Sequence, residues 1–147
     1  MNTSRVIQPV QNLDLTKVAD WLRKLNLPTD DLHAGIEFYG IPADDEWLFL
    51  AGIEPFGSDG LLRSVGVSPA QQGSGIGSEA IRQLLDVAGS QYQDLYLLTT
   101  TAEVFFSRLG FERISREEVP ATIQSSAEFA DICPVSAAVM KFSCENT

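Results

Sequence analysis

Three glycines alternate at Gly73, Gly75 and Gly77, between a stretch that reads as a strand and one that reads as a helix. No other segment restricts the fold as much. Before it, Leu61, Leu62, Val65 and Val67 are apolar and largely β-prone. Ser68-Pro69 closes that run, because proline fixes φ and donates no ladder hydrogen bond. After it, Ile76, Ala80, Ile81, Leu84 and Leu85 recur at helical spacing and make one apolar face. Glycine permits backbone angles that turn successive amides into one concavity, and the positive end of the helix dipole adds to it. Both suit an anionic group. A tight strand-to-helix turn that merely needs small residues has the same composition, so the glycines alone leave both readings open. Two familiar phosphate loops are disfavoured. A Walker loop ends in Gly-Lys-Ser/Thr, and here Gly77 is followed by Ser78 with no lysine. A dinucleotide loop reads G-x-G-x-x-G with an acid about 20 residues on, whereas this one reads G-x-G-x-G and Asp94 falls at a turn.

Length and charge narrow the function. With 147 residues, 44% hydrophobic and 20% charged, one soluble globular domain over residues 1–147 is expected. No apolar run approaches the roughly 20 residues needed to span a bilayer. Met1-Asn2-Thr3-Ser4-Arg5 has no signal-peptide apolar stretch behind it, so a cytoplasmic protein without a membrane partner is expected. A net charge of −10 argues against nucleic-acid binding and against long-range attraction of a polyanion. Asp30-Asp31, Asp44-Asp45-Glu46 and Glu117-Glu118 read as solvated surface. Cys133 and Cys144 predict no disulfide, and with the single His33 they offer no metal-ligand spacing. His33 itself reads as a surface or capping residue at the end of a short helix.

In chain order the pattern predicts a short strand at Val6–Pro9 and an amphipathic helix carrying Leu13, Leu15, Val18, Leu22 and Leu25, capped by Asn12 or Asp14. A second short helix is expected over Thr29–Ala34. Strands over Ile36–Ile41, Trp47–Ile53 and Arg63–Val67 form an antiparallel meander with polar turns. The helix after the glycines runs to about Ala88, where Gly89 stops it, and Asp94–Thr99 is the next strand. That succession implies a parallel pair with a crossover helix. Thr100-Thr101-Ala102-Glu103 has capping-box spacing for a helix ended by Gly110. A further helix follows Pro120, with Ser115 and Glu118 as a competing cap, and runs through Ile123, Ala127, Phe129 and Ala130 to Cys133-Pro134. Val135–Phe142 is the last strand.

Gln72-Gly73-Ser74-Gly75-Ile76-Gly77 resembles the Q/R-x-x-G-x-G/A pyrophosphate loop of the GCN5-related N-acetyltransferases (GNAT). Downstream, Ala102-Glu103-Val104-Phe105-Phe106-Ser107-Arg108-Leu109-Gly110-Phe111 resembles that family's A-x-x-x-Y-x-x-x-G-F segment. Two motifs in the right order are far more specific than either alone, and the resemblance covers roughly residues 5 to 142. It implies an α/β fold: one mixed sheet, with an antiparallel N-terminal meander and a parallel pair at the cofactor cleft, flanked by helices. It also implies acetyl-CoA as cosubstrate and no metal. Gln72, Gly73, Ser74, Gly75, Ile76, Gly77 and Ser78 would hold the pyrophosphate, and the backbone of Val65 and Val67 the pantetheine arm. The partner would be a small-molecule amine, and a homodimer is compatible with the family.

Direct acetyl transfer needs a neutral amine, a stabilised carbonyl oxygen and a proton for the leaving thiolate. The family's proton-donating tyrosine is replaced here by Phe106. Water or another hydroxyl would have to serve, the thiolate would leave unassisted, or the domain would bind acyl-CoA without turnover. Thr99 matches a family asparagine position, although three threonines ending a strand need no special role. Glu54 follows an apolar strand, so burial could raise its pKa and make it a general base; as a strand-end acid it could instead be solvated. Arg63 interrupts an apolar strand and needs a ligand or a partner, with an acceptor carboxylate on one side and Glu54 or Asp59 on the other. Arg63, Ser64 and Thr100 are the expected acceptor-binding residues. Glu54-Pro55-Phe56-Gly57, Gly60-Leu61-Leu62-Arg63-Ser64, Tyr96 to Ala102 and Phe129 to Ala137 are similar to acetyltransferases of bacterial arsenic-resistance clusters. That similarity implies an amino acid or glutamate-like acceptor, arsenic- or phosphorus-bearing analogues included. A protein N-terminus or lysine remains the alternative acceptor.

Overall fold

The structure is a computed structural model; it describes residues 6–10, 14–27, 29, 32–43, 46–126 and 137–144. Among the described residues, seven strands form one sheet in the order β1-β2-β3-β4-β5-β7-β6. They are β1 (Gln8–Pro9), β2 (Glu37–Ala43), β3 (Glu46–Phe56), β4 (Asp59–Val67), β5 (Asp94–Thr99), β6 (Glu112–Ile114) and β7 (Ala138–Ser143). The helices among the described residues are α1 (Leu15–Lys24), α2 (Ile76–Ala88), α3 (Glu103–Arg108) and α4 (Ala121–Gln124). The expected meander is β2–β3–β4, antiparallel throughout, and β4 pairs with β5 in parallel across the α2 crossover. β5 then pairs antiparallel with β7, and β7 with β6.

Alternation along β3 assigns the two faces. Phe49, Ala51 and Ile53 point to the side where α2 buries Ile76, Ala80, Ile81, Leu84, Leu85 and Ala88. Leu50 points the other way, into a cluster with Val18, Trp21 and Leu22 of α1. Further along that second face, Leu61, Tyr96 and Val139 pack with Val119 and Ile123. Between these two apolar clusters the second face carries a polar group, described below.

The Thr29–Ala34 helix does not form. Leu32 and His33 lie outside regular structure and Ala34–Gly35 is a turn; Asp30 and Asp31 fall outside the described residues. The competing interactions are local: the Gly35 N–H donates to His33 Nδ1 at 3.0 Å, and the Ile36 N–H to the His33 carbonyl at 3.3 Å. Asp14 caps α1 by accepting from the Thr16 and Lys17 N–H groups. Asn12, Leu13, Asp44, Asp45 and residues 127–136, with Cys133 among them, lie outside the described residues. Ser115 and Glu118 close a capping box over the 3-10 turn Arg116–Glu118, while Pro120 occupies the N-cap position of α4.

At the paired start of β4 and β5, Asp59 lies opposite Asp94. Burial, and then the Asp94 charge, push the Asp59 carboxyl up, against weaker opposition from Lys141 and the Asp94 backbone. An acid whose pKa is raised by folding contributes stability below its unfolded value of 3.8 and loses it as pH rises through the folded value. Asp59→Asn is therefore expected to raise the melting temperature at pH 7, with the gain fading as pH falls towards 4. A gain of equal size at both pH values would contradict that origin.

Candidate active site

The sheet opens where β4 leaves β5. Their parallel pairing ends after three positions, Asp59↔Asp94, Gly60↔Leu95 and Leu61↔Tyr96. Beyond Leu61, the β5-facing side of β4 and the β4-facing side of Leu97–Thr99 have no ladder partner among the described residues. A local feature of β4 bends it away. Between the pairs Gly52↔Arg63 and Leu50↔Gly66, β4 contributes Ser64 and Val65 against the single Ala51 of β3. Ser64 is the extra residue, at φ 56°. Such a bulge kinks its strand, and two separated strand edges offer backbone donors and acceptors to an extended ligand.

Below the opening lies the glycine loop. A 3-10 turn at Pro69–Gln71 starts it, and Gln72 Nε2 donates back to the Val67 carbonyl at 3.0 Å, pinning the loop to the end of β4. Gly73 and Gly75 sit at φ 83° and 88°, where other residues are strained. A Cβ at either would meet nothing within 4 Å, so the requirement is conformational and the space in front of the loop is open. Ile76 then starts α2 with Gly75 as N-cap, and the first helical hydrogen bond is Glu79 N–H to the Gly75 carbonyl at 3.1 Å. Among the described residues, the N–H groups of Gly73, Gly75, Ile76, Gly77 and Ser78 reach no backbone carbonyl. Gly77 lets the helix start close against β4, since a Cβ there would lie 3.2 Å from Val67 Cγ2. Five such donors around one turn, at the positive end of a 13-residue helix, suit a pyrophosphate.

Glu54 is not at a strand end. It pairs with Leu61 inside the β3–β4 hairpin, whose turn is Gly57-Ser58. Pro55 does not break β3 because β2 pairing stops at Ile53, leaving a side on which a missing N–H costs no ladder bond. On the face away from α2, Glu54 Oε1 accepts from Arg63 Nη1 at 2.9 Å, and Oε2 meets His33 Nε2 at 2.9 Å. The Arg63 side chain is 1% exposed, Glu54 14% and His33 48%. Of the two partners weighed for Arg63, Glu54 is therefore the one engaged. His33 gave no sign of this role in the sequence. Only the register Glu37↔Ile53, which places the residues before β2 beside those after Ile53, brings it to Glu54.

The threonines form a second polar group. Thr99 Oγ1 accepts from the Ala102 N–H at 2.9 Å. Ala102 itself is the N-cap of α3 and no side chain caps that helix, so the expected capping box is absent. Glu103 is drawn off by Arg113 of β6, at 3.3 Å. Thr99, Thr100, Thr101, Glu103, Val104, Arg113 and Ala138 line a cavity of about 200 Å³, which Glu54, Arg63 and Ser64 do not border. Phe106 is a core residue, packed edge-on against Phe105 and Phe111. Burial first, and then the charges of Asp94, Asp59 and Glu118, push the Tyr96 phenol up to about 12, and that residue belongs to the α4 side of the sheet.

A family model described as "Acetyltransferase (GNAT) domain" matches residues 35–113, more than half of the chain. The chain belongs to the GNAT acetyltransferases. Solved GNAT structures share its fold. N-acetylglutamate synthase from Neisseria gonorrhoeae, complexed with coenzyme A and L-arginine, superposes with a TM-score of 0.72 at 20% identity over 93% of this chain. The match covers 32% of the synthase, so this chain spans about a third of that protein. Rv2747 from Mycobacterium tuberculosis, in complex with CoA and NLQ, gives 0.64 at 24% identity over 93% of this chain and 98% of its own. The ribosomal-protein-S18-alanine N-acetyltransferase from Escherichia coli gives 0.65 at 14% identity over 96% and 97%. No curated protein is similar enough in sequence to register as a relative. The mixed seven-stranded sheet with its parallel pair is thus the GNAT fold, as its sequence motifs implied. No described helix is long and apolar enough to cross a membrane.

Proposed function

We propose that this GNAT domain transfers the acetyl group of acetyl-CoA to the amine of a small acidic amino acid or a glutamate-like analogue. The observation that carries the cosubstrate is the combination of the opened β4/β5 edges with five amides at the start of α2 that reach no backbone carbonyl among the described residues. Gln72 to Ser78 would hold the pyrophosphate, with Gln72 acting as the tie that shapes the loop. Backbone groups of Val65 and Val67, on the unpaired side of β4, would bind the pantetheine arm. The acceptor nitrogen would attack the thioester carbon directly; the C–N bond forms, the C–S bond breaks, and the thiolate leaves.

Glu54 would take the proton lost by the acceptor amine. Its carboxylate has two oxygens and about four lone-pair sites, so Arg63 and His33 leave room for an ammonium. Thr99 would assist departure of the thiolate, since its oxygen accepts from Ala102 and its own O–H remains to be donated. Thr100 and Arg113 border the cavity at the end of β5 and would contact the acceptor. Arg63 lies behind Glu54, so an acceptor carboxylate would reach its guanidinium by sharing it with Glu54, along with Ser64 at the bulge. An N-acetylglutamate synthase among the fold neighbours and the arsenic-cluster motifs both support an acidic amino acid acceptor. A single domain and a cytoplasmic setting belong to the same proposal. The neighbour acting on a ribosomal-protein alanine supports a peptide acceptor as the second reading.

Two experiments separate these readings. Thiol release from acetyl-CoA across glutamate, aspartate, phosphorus- and arsenic-bearing glutamate analogues, neutral amino acids and N-terminal peptides should favour the acidic small molecules. Preference for peptides would overturn the acceptor assignment. Glu54→Gln should lower kcat about 100-fold, the lower range for one general base. An unaltered kcat would leave Glu54 purely structural.

A further inference from the structure

We infer that His33 is a positioning residue for the reaction, acting through Glu54; this rests on the acetyltransfer reading above. Both nitrogens of its ring are committed. The Gly35 N–H donates to Nδ1 at 3.0 Å, so Nδ1 is an acceptor and the proton resides on Nε2. That Nε2–H then donates to Glu54 Oε2 at 2.9 Å. Glu54 is in this way held from two sides, by a buried guanidinium on Oε1 and by a half-exposed imidazole on Oε2. A guanidinium alone would allow the carboxylate to rotate about its last torsion, which is broad for glutamate. The second donor fixes the plane of the carboxylate, and with it the direction of the remaining lone pairs.

The backbone that delivers His33 fits a positioning role. The turn at Ala34–Gly35 is closed by the ring's own hydrogen bond, so ring orientation and loop shape are set together. Ile36, 2% exposed, anchors the following residue in the cluster beneath α1. The imidazole therefore links the loop before β2 to the β3–β4 hairpin across 21 residues of sequence. A residue placed on the surface only for solubility needs neither bond.

The chain has one histidine, so its imidazole can be observed without assignment ambiguity. Long-range nitrogen–proton spectra of the full chain should show the Nε2–H tautomer, with the signal shifted by Glu54→Gln. His33→Ala should lower kcat/KM for the preferred acceptor about tenfold, the factor of one net hydrogen bond to a charged group. The loss should fall mainly on kcat, with acetyl-CoA affinity unchanged. His33→Gln, whose amide can donate to Glu54, should recover most of it, and His33→Ala should add little to Glu54→Gln. An unchanged kcat/KM in His33→Ala overturns the inference while leaving the enzyme reading intact. If wild-type protein acetylates no amine, the enzyme reading fails and the spectrum decides His33. An imidazole insensitive to Glu54→Gln then overturns the positioning contact, and a shifted one supports it.

Discussion

Replacing Arg63 by methionine is expected to destabilise the protein by about 3 kcal/mol, the lower end for breaking a buried ion pair from one side. The Arg63 side chain is 1% exposed and Glu54 14%, so removing the guanidinium leaves a carboxylate that water reaches poorly. Glu54→Gln should cost less, because the amide still accepts from Arg63. Combining the two should recover part of the Arg63→Met loss, since a neutral side chain facing methionine carries no unmatched charge. Urea unfolding of the four proteins measures this cycle. Strictly additive losses would mean that the 2.9 Å contact contributes nothing as a pair.

Gly75→Val tests the loop. Gly75 has φ 88°, a conformation in which a β-branched residue is strained by about 1–3 kcal/mol. The space around a Cβ there is open, so the protein can relieve the strain by turning the backbone without expelling a neighbour. Turning it redirects the Gly75 and Ile76 amides, the first donors of α2. Losing two hydrogen bonds to a charged pyrophosphate should weaken coenzyme A binding about 100-fold or more. The fold should survive, because the helix is held by Ile76, Ala80, Ile81 and Leu84, all buried against the sheet.

These two sites differ in how far the sequence exposes them. The loop, α2 from Ile76 to Ala88 and β5 from Asp94 to Thr99 are governed by neighbours in the chain: a proline, three glycines, a helical stripe and an apolar run. Local rules suffice for such elements, and the two motifs bracketing them imply the family. The polar group Arg63–Glu54–His33 depends on register. Whether Glu54 is solvated or paired is decided by the hairpin turn at Gly57-Ser58, which sets Glu54 diagonally across from Arg63. Thr29–Ala34 carries helix-compatible residues, yet the His33 ring satisfies the Gly35 N–H first and closes a turn. The Thr100–Glu103 spacing suggests a capping box, but Arg113, ten residues beyond Glu103, offers a charge that local spacing cannot reveal. The bulge at Ser64 is equally silent, being one extra residue in an otherwise regular apolar strand.

Phe106 shows the same division. Its replacement of a tyrosine is visible in the sequence, and its burial among Phe105 and Phe111 explains how the position is tolerated as packing. Under the proposed acetyl transfer the proton for the leaving thiolate would come from water or from another hydroxyl, for which Thr99, whose oxygen accepts from the Ala102 N–H, is the proposed source, or the thiolate would leave unassisted.

The most direct test of the account is calorimetric titration of the protein with acetyl-CoA, coenzyme A and pantetheine. Binding of the first two, with pantetheine at least 100-fold weaker, is expected if the amides of Gly73 to Ser78 hold the pyrophosphate. Equal affinity for pantetheine and coenzyme A, or no binding of either, would contradict it.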